Sequence, residues 1–439
     1  MGIHILETSE VEEAGRLVNS SGGDWGWVTI VLRDDDFDHK KWQKFMDDCR
    51  RLHLIPIIRV ATHLENGVWL KPKAEELDKW VNFLNSLNWP VKQQVVAVFN
   101  EPNHSKEWGG EINPQEYSLI LEKMITLFKK ANENFVILNA GLDQAADGKN
   151  GTMKEELFLQ KMFEFNKNIF NQLDGWASHS YPNHGFIGDP DDKGRGSIKG
   201  YEWELGWLKN HSLVKNWDVY LTETGWPHSE GETKEGPFFE SKKISQFFIK
   251  AFDYWIKDNR VKAITPFVLN YPQPPFDHFS WLKSNGDKYD QYNEVLAMPK
   301  VKGQPEQIEK YEILAIKMMD LLPTNWVYRG EIKIKNTGQW IIGENKPFVL
   351  DLKEEYQGSK ITQHPRLKEG ELVFPQEEKN LEFVLQTGTQ SGEFKLKIGN
   401  KDYSFYVFKP FEWKNKKVSL WRQILTKIKL EWKKIITKN

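Results

Sequence analysis

From the third residue to about residue 270 the chain repeats one pattern: a short, near-continuous apolar run, then a longer amphipathic stretch. The runs are Ile3–Leu6, Trp27–Leu32, Leu54–Val60, Val95–Phe99, Phe135–Leu138, Gly175–His179, Val219–Thr222 and Ala263–Leu269. Between them lie stretches of helical period: Lys40–Leu52, Lys73–Leu87, Pro114–Ala131, Lys154–Phe170, Tyr201–Asn210 and Lys242–Lys257. A strand apolar at every position is buried on both faces, as in a parallel sheet wrapped by helices. Eight such units in roughly 300 residues fit an eight-fold β/α barrel. The structural rival, a doubly wound sheet, leads one to expect a glycine-rich phosphate loop after the first strand, and Glu7–Glu13 contains no glycine.

Most of these strands end in a polar residue just past the apolar run: Arg33, Arg59 with His63, Asn100-Glu101, Asn139, His179, Glu223 and Asn270. In such a barrel the C-terminal strand ends form the active site. Two of the ends are glutamates. Val95-Val96-Ala97-Val98-Phe99 runs into Asn100-Glu101-Pro102, and Val219-Tyr220-Leu221-Thr222 runs into Glu223-Thr224-Gly225-Trp226. By count they close strands four and seven. Two carboxyls held in different protonation states are what glycosidic bond cleavage needs: an acid for the leaving oxygen and a carboxylate for the anomeric carbon.

At these residues the sequence resembles the clan A glycoside hydrolases, retaining enzymes on a β/α barrel with Asn-Glu ending strand four and Glu ending strand seven. The resemblance covers residues 1 to about 300. It implies that Glu101 is the general acid/base and Glu223 the nucleophile, with Asn100 bonding the sugar 2-hydroxyl. It also implies a polar or aromatic residue at the end of strand six reaching the nucleophile, for which His179 and Tyr181 stand ready. The aromatic platform expected from strand eight is missing as tryptophan in Pro266–Pro272, which directs attention to Trp281. Arg59, His63, Asn139, Trp226 and Asn270 complete the candidate substrate contacts. A hydrolase of this kind needs neither metal nor organic cofactor and acts on oligo- or polysaccharide. Glu101 and Glu223 are expected about 5–5.5 Å apart, with one carboxyl pKa raised, Glu101 as the acid being the one expected to rise, and Glu223 kept charged with the help of a hydrogen bond from Tyr181 or another strand-end donor. The rival from another class is a non-catalytic carbohydrate-binding or cell-surface scaffold.

Other readings of the same residues are structural. A strand-end glutamate can be an ion-pair partner of Arg33 or Arg59. His63, His179 and His184 have no standard metal-ligand spacing. Asp34-Asp35-Asp36 and Asp189-Pro190-Asp191-Asp192 match no twelve-residue calcium loop. Asp143 reads as a sugar contact or a helix cap. The 19 tryptophans serve either a core or sugar stacking.

Beyond the barrel, Val301–Leu322 has a charged helical pattern, expected to brace the barrel and end it at residue 322. Residues 323–411 read as an all-β immunoglobulin-like sandwich of short strands: Glu331–Lys335, Phe348–Leu352, Leu372–Phe374, Leu381–Leu385, Phe394–Ile398 and Tyr403–Phe408, the last two joined by Gly399-Asn400-Lys401-Asp402. Residues 412–439 form a basic tail. Lys416–Asn439 carries Trp421, Leu425, Ile428, Trp432 and Ile435 on one helical face, a pattern for peripheral membrane contact or for docking on the protein itself. From Lys414 onward nine basic residues face one acidic, whereas the whole chain holds 60 Lys+Arg and 62 Asp+Glu; the body is thus acidic and a poor nucleic-acid binder. No apolar run is long enough to span a membrane. Met1–Glu7 lacks the pattern of a signal peptide. A single cysteine, Cys49, excludes an internal disulfide. The substrate class sets the expected location as extracellular or at the cell surface.

Overall fold

The computed structural model describes residues 1–410 except 212–214, 232–235, 345–347, 354–357 and 399–400. They divide into a unit Met1–Gln307 and a second that begins at Ile308.

The first unit has eight parallel strands hydrogen-bonded in chain order. They are β1 (Gly2–His4), β2 (Gly26–Arg33), β3 (Leu54–Ala61), β4 (Gln94–Val98), β5 (Phe135–Leu138), β6 (Gly175–His179), β7 (Asp218–Glu223) and β8 (Val261–Ile264). A helix follows each in turn: α1 (Val11–Val18), α2 (His39–Arg51), α3 (Leu77–Ser86), α4 (Pro114–Ala131), α5 (Glu155–Phe165), α6 (Gly200–Asn210), α7 (Ser241–Lys257) and α8 (Asp290–Ala297). The His4 N–H donates to Pro266 O at 3.0 Å and the Leu269 N–H donates to His4 O at 2.9 Å, which ties β1 to the segment after β8. The sheet is therefore a nearly closed eight-stranded barrel, as the repeating pattern predicts.

Alternation along each strand builds two cores. Ile58, Val60, Val96 and Val98 point outward and pack with the helices. Ile57, Val95, Ala97, Leu138, Ala177, Tyr220 and Ala263 fill the barrel interior. Helix starts follow local chemistry. The Asp38 carboxylate accepts from Lys40 N and Lys41 N to open α2, and Asn113 caps α4 ahead of Pro114. The sequence reading omits α1 and α8, both only eight residues long.

The second unit is all β. One sheet orders β9 (Tyr311–Lys317), β11 (Val327–Asn336), β14 (Glu378–Gln386) and β13 (Lys360–Gln363); the other orders β10 (Leu321–Pro323), β16 (Lys401–Phe408), β15 (Gly392–Ile398) and β12 (Leu350–Lys353). Their inner faces share a core that includes Ile332, Ile334, Phe383, Leu385, Phe394, Leu396, Phe405 and Val407. The expected helix over Val301–Leu322 is absent. Residues 301–310 are irregular, and the rest supplies β9 and β10, so the boundary falls at Gln307 rather than at residue 322. The physical reason is a β-bulge between Ile313 and Ala315. It lets Ile313 and Ile316 both face the sandwich core, and that three-residue spacing imitates a helix. The tail 412–439, with its membrane-contact reading, lies outside the described residues.

Candidate active site

The register that fills the barrel also loads its mouth. Ile57 and Ala177 face inward, so Arg59 and His179, two residues on, face inward one layer higher. Glu223 gets there differently. Tyr220 faces inward, and strict alternation would turn Glu223 away. However, Ser178 pairs with Leu221 and His179 pairs with Glu223, so the register shifts and Thr222 is the extra residue. This bulge aims Glu223 at His179. On β4 the chain turns sharply. Phe99 has φ +70° and Glu101 φ +32°, both in the left-handed region that non-glycine residues avoid. The Phe99 ring is held edge-on between Trp80 (5.9 Å) and Trp108 (5.6 Å), and Trp108 meets Tyr117 at 5.5 Å. The Glu101 N–H donates to Gly141 O at 3.1 Å. Packing and that hydrogen bond hold the strained turn that carries the glutamate.

A carboxylate oxygen of Glu101, one of Glu223 and a ring nitrogen of His179 lie within 4.8 Å of one another. The Glu223 carboxylate forms an ion pair with Arg59 and accepts from Tyr181 Oη at 3.1 Å. Glu101 Oε1 meets His179 Nδ1 at 2.8 Å. The Glu101 side chain is 21 % exposed and that of Glu223 11 %, so Glu101 faces the opening. Burial pushes the Glu223 carboxyl up, but the charges of His179 and Arg59 outweigh it and hold it well below the usual carboxylate range. Burial likewise pushes His179 down, and the Glu223 and Glu101 carboxylates reverse this and raise it. Tyr181 is raised first by burial and then by the same carboxylates, and stays a neutral donor. Beneath them His4 lies 3.8 Å from Glu223 and is neutral, pushed down to about 3 by burial and by Arg59.

A third carboxyl joins the group. Glu107, on a short helical turn after β4, accepts from Asn100 Nδ2 at 3.1 Å, while Asn100 Oδ1 accepts from Arg59 at 2.8 Å. Burial and the nearby Glu101 charge push Glu107 up to about 7. Glu107 is absent from the candidates that the sequence alone supplies.

These residues line a cleft of about 1010 Å³. Of the sequence candidates, Arg59, Asn100, Glu101, Tyr181 and Glu223 line it, and His179 lies directly beneath. The others are placed elsewhere. Trp226 is buried against Phe247 and Phe248 with Nε1 donating to Gly188 O. Trp281 is buried on Phe248. Asn139 is buried, bonding Ala140 O and Ala177 O. His63 turns away to Asp34 at 2.9 Å, and Asn270 bonds Glu10. Each satisfies its polar atoms or fills core space outside the cleft wall.

The aromatic wall missed in the sequence is Phe267, with Tyr271, Phe276 and Phe279 beyond it. Strand β8 stops at Ile264, so Phe267 sits past the strand end rather than inside it. Trp69 also lines the cleft. Asp143 pairs with His104 at 2.7 Å on the cleft wall and caps no helix. Glu101, His179 and Glu223 are also the one group among the described residues whose donors could converge on a metal ion. Arg59 and Tyr181 already engage Glu223, and His179 engages Glu101.

No family profile matches the chain, and no curated protein is similar to it. Several solved structures are similar to it, and those described next are glycoside hydrolases. A GH39 beta-xylosidase from Caulobacter crescentus is 10 % identical over 89 % of this chain and 96 % of its own, with a TM-score of 0.49. An endo-beta-1,3-glucanase of GH128 subgroup II from Sorangium cellulosum is 12 % identical over 68 % and 97 %, with a TM-score of 0.44. An FMN-binding beta-glucuronidase from Facaelibacterium prausnitzii is 9 % identical over 93 % and 56 %, with a TM-score of 0.45. At such identities the function rests on the site's own geometry.

Proposed function

We propose that the barrel is a retaining glycoside hydrolase. The observation that carries this is a pair of strand-end carboxyls with oxygens within 4.8 Å at the cleft floor, one of them held ionised by Arg59. That closeness is nearer to the about 5–5.5 Å of a retaining pair than to the about 6.5–9.5 Å of an inverting one, and so supports retention. Glu223, ionised and fixed by Arg59 and Tyr181, attacks the anomeric carbon. Glu101, the more exposed, gives a proton to the leaving oxygen, which departs as the glycosyl–Glu223 ester forms. In the second step Glu101 takes a proton from water, the water oxygen attacks the anomeric carbon, and Glu223 is released as carboxylate. His179, bonded to Glu101 and near Glu223, offsets their negative charge as Glu101 gives its proton to the leaving oxygen and regains one from water.

The cleft is at the top of the range of about 300–1,000 Å³ that holds a whole small ligand, which supports an oligo- or polysaccharide substrate. Phe267 takes the place of the expected platform. Such a substrate agrees with an extracellular or surface setting. In the second unit, lettering the eight strands A, A′, B, C, D, E, F and G in chain order gives sheets A-B-E-D and A′-G-F-C, which supports an immunoglobulin-like sandwich. The test is release of reducing ends from a panel of polysaccharides. The natural chain should act on at least one, and Glu223→Gln should lose about 10⁴-fold or more. Turnover by Glu223→Gln equal to the natural chain would refute the proposal.

A further inference from the structure

The lysines and arginines that line the cleft are all engaged. Arg33 pairs with Asp35 at 2.9 Å, Lys41 with Asp36 at 2.7 Å, and Arg59 with Glu223. His104, raised by Asp143 against the effect of burial, is taken up by that carboxylate. Glu107 is the opposite case. It lines the same cleft and has no ion-pair partner among the described residues; its one hydrogen bond there comes from the neutral amide of Asn100. Its neighbours are the carboxyls Glu101 and Glu223, with Arg59 committed to the latter.

An acidic sugar entering this cleft would meet the carboxyls Glu101, Glu107 and Glu223 and, among the described residues that line it, no lysine or arginine outside an ion pair. A protonated amine would meet, at Glu107, a carboxyl that no described cation holds in an ion pair. We propose that Glu107 receives the ammonium group of an amino sugar, so that the cleft selects glycans with free amines over those bearing carboxylates or sulfates. The ammonium and carboxylate form a charge-assisted hydrogen bond inside a partly dehydrated site, where such bonds are strongest. The raised pKa of Glu107 agrees with this: its ionisation is disfavoured by burial and by Glu101, and an ammonium would relieve both. The inference rests on the glycosidase reading only in taking the ligand to be a sugar.

The test titrates the full chain, by calorimetry at neutral pH, with the methyl β-glycosides of glucosamine, glucose and glucuronic acid. The glucosaminide should bind at least about ten-fold more tightly than the glucoside, and the glucuronide more weakly than either. Glu107→Gln should bring the glucosaminide down to the affinity of the glucoside. Equal affinities in the natural chain, tightest binding of the glucuronide, or no measurable glucosaminide binding would each overturn the inference, without reference to the variant. Hydrolysis is read separately. A protein that binds the amine as stated and cleaves no glycan refutes the hydrolase reading alone. One that cleaves glycans and shows no amine preference refutes this inference alone.

Discussion

Replacing Tyr117 by Phe removes one oxygen atom and leaves the ring in place. That oxygen donates to Val98 O at 3.1 Å and accepts from the Ala140 N–H at 2.7 Å. It ties the end of β4, three residues before Glu101, to the chain just past β5. Tyr117 and Ala140 are each 1 % exposed, so water does not replace the lost partner. Leaving the buried Ala140 N–H unpaired costs about 1–3 kcal/mol, and the phenylalanine ring fills the same space, so cavity terms stay small. A total of about 2 kcal/mol is the expectation. At about 2.1 cal/mol/K per residue, the unit Met1–Gln307 unfolds with an entropy of about 0.65 kcal/mol/K. The melting temperature of the barrel should therefore fall by about 3 °C in scanning calorimetry, with the transition of the second unit unmoved. Turnover should fall as well, because the strained Phe99-Asn100-Glu101 turn loses its rear support. An unchanged melting temperature would show that the hydroxyl braces nothing. A fall beyond about 10 °C would show that the ring moves, and with it that the aromatic stack is not the rigid backing described above.

Three further outcomes are expected. A Cβ on Gly141 would lie 2.2 Å from His179 Cδ2 and 2.5 Å from Nε2; Gly141→Ala should displace the buried ring and cut kcat by about 10²-fold at an overpacking cost of about 1–3 kcal/mol, read by kinetics and calorimetry together. Glu107 is raised from 4.5 to about 7 in the folded chain, so its contribution to stability is fully present below pH 4.5 and lost as pH rises through 7; relative to the natural chain, Glu107→Gln should gain melting temperature across that window, and a constant difference would contradict the assignment. Removing Lys416–Asn439 should abolish salt-sensitive co-sedimentation with anionic vesicles if the Trp421/Trp432 face inserts, and equal sedimentation of both forms would assign the segment to structure instead.

How much could be read from the chain follows from where burial leaves a trace. Parallel barrel strands are apolar at every position, so the eight strands and the polar residues that end them, Asn100, Glu101 and Glu223 among them, stand out against their surroundings. What escapes is whatever depends on register. The bulge at Thr222 decides that Glu223 faces His179, and nothing in Leu221-Thr222-Glu223 marks it. The shorter β8 moves Phe267 from strand interior to cleft wall. Trp226 and Trp281 illustrate a second limit. A tryptophan near a polar strand end looks the same in the sequence whether it faces a sugar or the core, and both of these pack against Phe248, one edge-on and one tilted. Glu107 is an acid only six residues after Glu101, yet only the fold shows that it shares Asn100 with Arg59. The bulge in β9 worked the other way, producing a helical spacing where the chain is extended.

The central claim is that Glu223 forms a covalent link to the sugar, with Glu101 as acid and then base. It is tested most directly by the anomeric configuration of the first product, followed by proton NMR immediately after addition of the enzyme to a cleaved β-linked oligosaccharide. Two displacements at one carbon return the original configuration, so the β-anomer should appear first and the α-anomer only later, at the rate of spontaneous mutarotation. Initial appearance of the α-anomer would mean a single displacement by water, and would contradict the role assigned to Glu223.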